Sequence, residues 1–201
     1  PRTLAIYMTD YLLNLMKRFE LDWAKPVPSV SPPFVPYADS KAVDDEPGRF
    51  QASCASYVAT VVFVARVCRA DWSTALQRLC TQVSRWTSCD DAALIRLMGY
   101  LRNQASLGLV GTLGLDDLGN LELRVWIDAD WNGNPNSSRS TSGLYIELYS
   151  PSSGHSFPIV WRTALETSTA SSSAESETVS IAAGLRQEAI PIQELRNAAW
   201  R

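Results

Sequence analysis

Residues 121–150, LELRVWIDADWNGNPNSSRSTSGLYIELYS, alternate like a strand and then break at two aspartates into a turn. Leu121, Leu123, Val125, Ile127 and Ala129 fall on one side, and Glu122, Arg124, Trp126, Asp128 and Asp130 on the other. A period of two with one apolar side marks a half-buried strand. A carboxylate ending such a strand either begins a solvated turn or donates an oxygen to a cation, and the rest of the chain has to decide between them.

Working outward, GLYIELYS (143–150) and FPIVWR (157–162) read as two more strands, separated by the turn residues Pro151, Ser152, Ser153 and Gly154. Upstream, LGLVGTLGLDDLGN (107–120) reads as the first arm of a hairpin that turns at Gly119-Asn120. Downstream, a serine-rich segment leads into a helix. Ser172 stands three residues before Glu175, the spacing of a capping box, and Ile181 and Leu185 pair at i, i+4. Pro191 is expected to interrupt that helix or to start a new one. Three strands and a helix describe an antiparallel meander with a helix packed on it.

The first half is helical. Residues 5–20 place Tyr11, Leu12, Leu15 and Phe19 at helical spacing. Residues 26–48 carry six prolines and an acidic patch from Asp44 to Glu46, the composition of an extended linker. The apolar run FQASCASYVATVVFVARVC (50–68) fits a buried strand or a buried helix, and its length favours the helix. Two further helices follow, over 71–86 and 90–102. Ser88 and Asp91 stand at capping-box spacing before the second of these, and Leu94, Leu97, Met98 and Leu101 form its apolar stripe. Tyr57, Phe63 and Trp72 admit a base-stacking reading, but aromatics at such spacing are ordinarily core. The organisation expected is therefore 1–25 helix, 26–48 linker, 49–106 helical module and 107–201 meander with helix.

Composition narrows the function. At 201 residues and 46% apolar content the chain can bury a core, and a net charge of −3 offers no overall field for nucleic acid. Contacts to nucleic acid would come from local arginines. No apolar run approaches the ~20 residues of a membrane span, and no export leader is evident, so an intracellular location is expected. Four cysteines without a Cys-x-x-Cys pair and a single histidine, His155, disfavour a zinc site. A Ser-His hydrolase built on His155 is disfavoured too, because the chain has no Gly-x-Ser-x-Gly elbow. From pattern alone, Asp128 and Asp130 are accounted for as the start of a turn, and Glu175 and Glu177 as acids favouring a helix N-terminus.

A resemblance alters that balance. Asp128-Ala129-Asp130-Trp131, Gly133, Pro135 and Ser140-Thr141-Ser142-Gly143 look like the opening of the ribonuclease H domain in copia-type retrotransposon Pol polyproteins. Ile159-x-Trp161 followed by Ser172-Ser173-Ala174-Glu175-Ser176-Glu177 is similar to that family's second block. Upstream, YLLNLMKRFELDWAKPVPS resembles the end of the family's reverse transcriptase, and Arg69-x-Asp71, Ser84-Arg85-Trp86 and Tyr100-Leu101 match its connecting region. The resemblance implies an α+β chain with an N-terminal helical module and a partial ribonuclease H-like fold. It further implies that Asp128 and Glu177 are the catalytic, metal-ligating acids for two Mg²⁺ ions, that Glu175 caps the helix, and that Arg139 touches a phosphate. The implied partners are an RNA–DNA hybrid and the rest of the Pol polyprotein, in a cytoplasmic particle or the nucleus.

Departures are visible. The family's Lys-x-Gln after the tryptophan is Ala164 and Glu166 here, its tyrosine after the glutamate is Thr178, and its acidic turn holds Asn134 and Asn136. The two later acids of the family's site have no counterpart, so this chain alone is expected to cut little or no hybrid. A decayed or co-opted binding module is the alternative.

Overall fold

The computed structural model describes residues 1–34, 46–132 and 138–199. It is mixed helix and sheet, with two compact units: residues 6–109, and residues 1–5 together with 110–201. The expected turn at Gly133–Asn136 and the centre of the proline-rich segment lie outside the described residues.

The 6–109 unit holds α1 (Thr9–Trp23), α2 (Cys54–Cys68), α3 (Ser73–Gln82) and α4 (Ser88–Asn103). Leu12, Leu15, Met16 and Phe19 of α1 share one core with Tyr57 and Val61 of α2, Leu79 of α3, and Leu94, Leu97 and Leu101 of α4. Tyr57 and Trp72 are buried there and unavailable for stacking on bases, whereas Phe63 is exposed beside Tyr11. The four cysteines are free thiols, with Cys54 and Cys68 buried and Cys80 exposed.

The segment read as an extended linker is anchored at both of its described ends. Val27 is 2% exposed, the Val30 N–H donates to the Gly99 carbonyl, and Pro47 bridges to Thr87. Gly48 is required at its position, because a Cβ there would lie 2.5 Å from the Thr87 carbonyl oxygen. Prolines leave a chain with few backbone donors, but the apolar side chains between them still gain by burial. The α4 capping box is made by Thr87 and Asp90, one residue before the expected pair. Asp91 instead accepts hydrogen bonds from the Trp86 indole and from the Phe50 N–H.

Two further expectations are corrected. The first helix starts at Thr9, not near residue 5, because Arg2–Ile6 form a strand, β1, that pairs with β2 (Leu109–Leu113). The hairpin about Gly119-Asn120 does not form. Leu115–Asn120 is a 3-10 turn whose Asp117 carboxylate accepts the Gly114 N–H, so β2 does not fold back on the next strand. A short apolar run cannot announce that its partner strand lies a hundred residues away.

In the other unit β3 (Glu122–Asp130), β4 (Thr141–Tyr149) and β5 (Ser156–Leu165) form the antiparallel meander in the order β3-β4-β5. α5 (Ser173–Gly184) packs chiefly on β3. It passes through one π turn, Leu185–Ala189, into α6 (Ile190–Ala199). Pro191 has no N–H to donate back into the helix, and the wider turn just before it lets the chain continue rather than break. Leu144, Ile146 and Ala189 form the core with Leu123, Val125, Ile127, Val160 and Ile192. The expected inward row of β3 is thus the row that packs.

Candidate functional site

Asp128 lies near the end of β3, opposite Gly143 of β4, and is exposed. The pleat puts its side chain in one row with Trp126 and Asp130, while Ile127 and Ala129 point to the other face. α5 rests on that other face. A Cβ on Gly184 would lie 2.7 Å from Ile127 Cδ1 and 3.3 Å from Leu144 Cδ1.

The helix can come so close because its inner stripe is small. Ser176, Ser180 and Gly184 recur every fourth residue and are all buried. Ser180 Oγ donates to the backbone carbonyl of Asp128 at 3.1 Å. Glu177, next to Ser176, is half-buried. The fold therefore brings the middle of α5, at Ser180, to the backbone of Asp128, although the Asp128 carboxylate leaves β3 on the face away from the helix.

The start of α5 is fixed by its own serines. Ser172 Oγ accepts the Glu175 N–H at 3.2 Å, and the Glu175 carboxylate accepts the Ser171 hydroxyl at 2.6 Å and the Ser171 N–H at 2.7 Å. The Ser171 side-chain and backbone bonds hold Glu175 below the usual glutamate range. Glu175 is thus engaged at the helix start, as expected, with its carboxylate on Ser171 rather than on Ser172.

Glu166 is a residue that sequence reasoning passed over except as a departure from the family pattern. It is 7% exposed, and its Oε1 accepts the Ser142 hydroxyl at 2.7 Å and, more weakly, the Ser176 hydroxyl at 3.5 Å. Its Oε2 is buried without a hydrogen-bond partner among the described residues. This carboxylate links the end of β5, the start of β4 and the start of α5.

The single histidine is also accounted for. Asp117, 3% exposed, accepts hydrogen bonds from Gly114 N–H, Ser150 Oγ and Ser153 Oγ, and it faces His155 Nδ1 at 3.0 Å. The serine hydroxyls donate to the carboxylate, not to the imidazole, so this is a lock between a turn and a hairpin rather than an activated nucleophile. The Ser153 bond, His155 and the other donors hold Asp117 well below the usual carboxylate range.

Among the described residues, no three His, Cys, Asp or Glu side chains are grouped to hold a metal ion. Mg²⁺ takes oxygen donors in near-octahedral geometry, and two carboxylates, Asp128 on β3 and Glu177 on α5, would by themselves hold it only weakly. Arg139 is exposed just before β4.

No helix among the described residues is long and apolar enough to cross a membrane. No family model matches the chain, and no solved structure does. Two curated proteins of Arabidopsis thaliana do, the retrovirus-related Pol polyproteins from transposons RE1 and RE2. Each is 29% identical to this chain over 185 residues, which is 90% of this chain and 12% of the relative. The chain is thus similar, over nearly its whole length, to a short segment of Pol polyproteins.

Proposed function

We propose that this chain is a segment of a retrotransposon Pol polyprotein. In this reading it joins the end of a reverse transcriptase, through a helical connection, to the first part of a ribonuclease H-like domain. The observation that carries it is the coincidence of a collinear match over 90% of the chain with the attachment of α5 to the backbone of Asp128. The two acids singled out by resemblance lie on the two elements that meet there. The parent would copy RNA into DNA and cut the RNA strand of the resulting hybrid.

In that parent Asp128 and Glu177 would hold Mg²⁺, which when bound would activate water and stabilise the leaving oxygen. β3 is the outermost strand of its sheet among the described residues, so donors from its two faces can approach one another only around its edge. Two carboxylates hold such ions weakly, so this chain alone would cut little or no hybrid. Arg139 would meet a backbone phosphate.

A second reading follows from the pleat. With the Asp128 carboxylate facing away from α5, the segment is a remnant that binds without cutting. Mg²⁺-dependent cleavage of an RNA–DNA hybrid by the full-length open reading frame, reduced by roughly 100-fold or more in both Asp128→Asn and Glu177→Gln, supports the nuclease, given the usual weight of a metal ligand. Hybrid binding without cleavage in the same full-length protein supports the remnant.

A further inference from the structure

The face of the meander turned away from α5 carries an aromatic row. Trp126, Tyr145 and Trp161 are directly opposite one another across β3, β4 and β5. The Trp126 and Tyr145 rings are 5.6 Å apart. Trp126 remains 47% exposed, while Tyr145 and Trp161 are half-buried. The hydrophobic core of the meander lies on the opposite face. An exposed tryptophan stacked beside a half-buried tyrosine on an otherwise polar sheet face is a common signature of an interaction surface.

The charges around the row select the partner. Glu122, Asp128 and Asp130 share its face on β3, and Glu147 shares it on β4. Arg124 is the one basic residue in these rows, and it is engaged over the Tyr149 ring and 3.9 Å from Glu122. Residues 1–5 and 110–201 together contain seven arginines and no lysine against eleven acids. A phosphate backbone would be repelled by this border, whereas lysines and arginines would be drawn to it.

We propose that this face is a protein-docking surface for an amphipathic segment that lays an apolar stripe on Trp126 and Tyr145 and points basic side chains at Asp130 and Glu147. The aromatic rings supply the buried anchor, and the carboxylates set the orientation and the choice of partner. Asp128, which the proposed nuclease reading uses, shares this face, so the two are tested separately: cleavage by the full-length protein tests that reading, and peptide binding by this chain tests this one.

The probe is a fluorescently labelled 14-residue Leu/Lys amphipathic helix, titrated with the whole 201-residue chain and followed by anisotropy. A Leu/Glu helix of equal length and an RNA–DNA hybrid serve as comparisons. The expected result is saturable binding of the Leu/Lys helix alone. Binding should weaken about 10-fold in Trp126→Ala and about as much in the Asp130→Asn/Glu147→Gln double variant, and it should fall as salt rises. Trp126 is exposed, so its loss leaves the core intact, and unchanged circular dichroism checks this. Equal binding of the Leu/Lys helix to both variants overturns the proposal, as does preferential binding of the hybrid. Concentration-dependent self-association that Trp126→Ala abolishes overturns it in favour of a second copy of the chain.

Discussion

The hydroxyl of Ser180 donates to the main-chain carbonyl of Asp128, at a point where a buried helix serine meets the last residues of a strand. This bond ties α5 to β3 without using either carboxylate. Ser180→Ala should cost ~1 kcal/mol, the value of one such bond, read as a lower urea midpoint with an unchanged slope. Gly184→Val tests the same approach by sterics. Its side chain would press on Ile127 and Leu144, with an expected cost of about 1–3 kcal/mol for overpacking.

Glu166→Gln should stabilise the protein. Among the described residues the buried Oε2 lacks a partner, and a neutral amide keeps an oxygen for Ser142 while removing the charge from the interior. A gain of ~1 kcal/mol is expected from the mutational range for such groups, measured by chemical denaturation at pH 7. A loss of stability would mean that the carboxylate is needed as an ion.

Asp117 makes a pH prediction. Its carboxyl is held below its ordinary value by Ser153, His155 and the neighbouring donors, so the folded state binds its proton less readily than the unfolded state does. The stabilisation is therefore fully present above the unfolded value of about 4 and is lost as pH falls below it. The urea midpoint of the wild type should drop more steeply than that of Asp117→Asn as pH falls from about 4 to about 2. The variant should be the less stable of the two at pH 7.

Arg69 is the cation most embedded in the helical unit. It is 2% exposed, pairs with both oxygens of Asp71, reaches the carbonyls of Gln104 and Leu107, and lies over the Trp72 ring. Burial alone would raise Asp71, but the bonds from Arg69 and Tyr100 outweigh it and hold Asp71 below its usual range. Arg69→Lys cannot reproduce the fork or reach both carbonyls. A loss of roughly 2–4 kcal/mol is expected from leaving a buried network partly unmade, with Tm as the readout.

By itself the sequence determined what repeats locally or depends on near neighbours. The alternation of β3, the three-strand order of the meander, the long apolar α2 and the Ser172 cap all follow from periodicity and from side chains that reach their own backbone. The capping residue of α4 was displaced by one because Thr87 and Ser88 offer equivalent hydroxyls, and contacts to Asp90 and Asp91 choose between them. What only the tertiary structure decided was pairing across long separations and the direction in which each side chain leaves its element. Arg2–Ile6 become a strand because Leu109–Leu113 is present to pair with them. The buried Glu166 carboxylate links β4, β5 and α5, a contact that no spacing announces. The pleat, counted from the row that α5 covers, turns the Asp128 carboxylate to the aromatic face. A sequence names the acids, but which way they point is set by packing, because one side of β3 gains more by burying Val125 and Ile127 than the other would by burying Asp128.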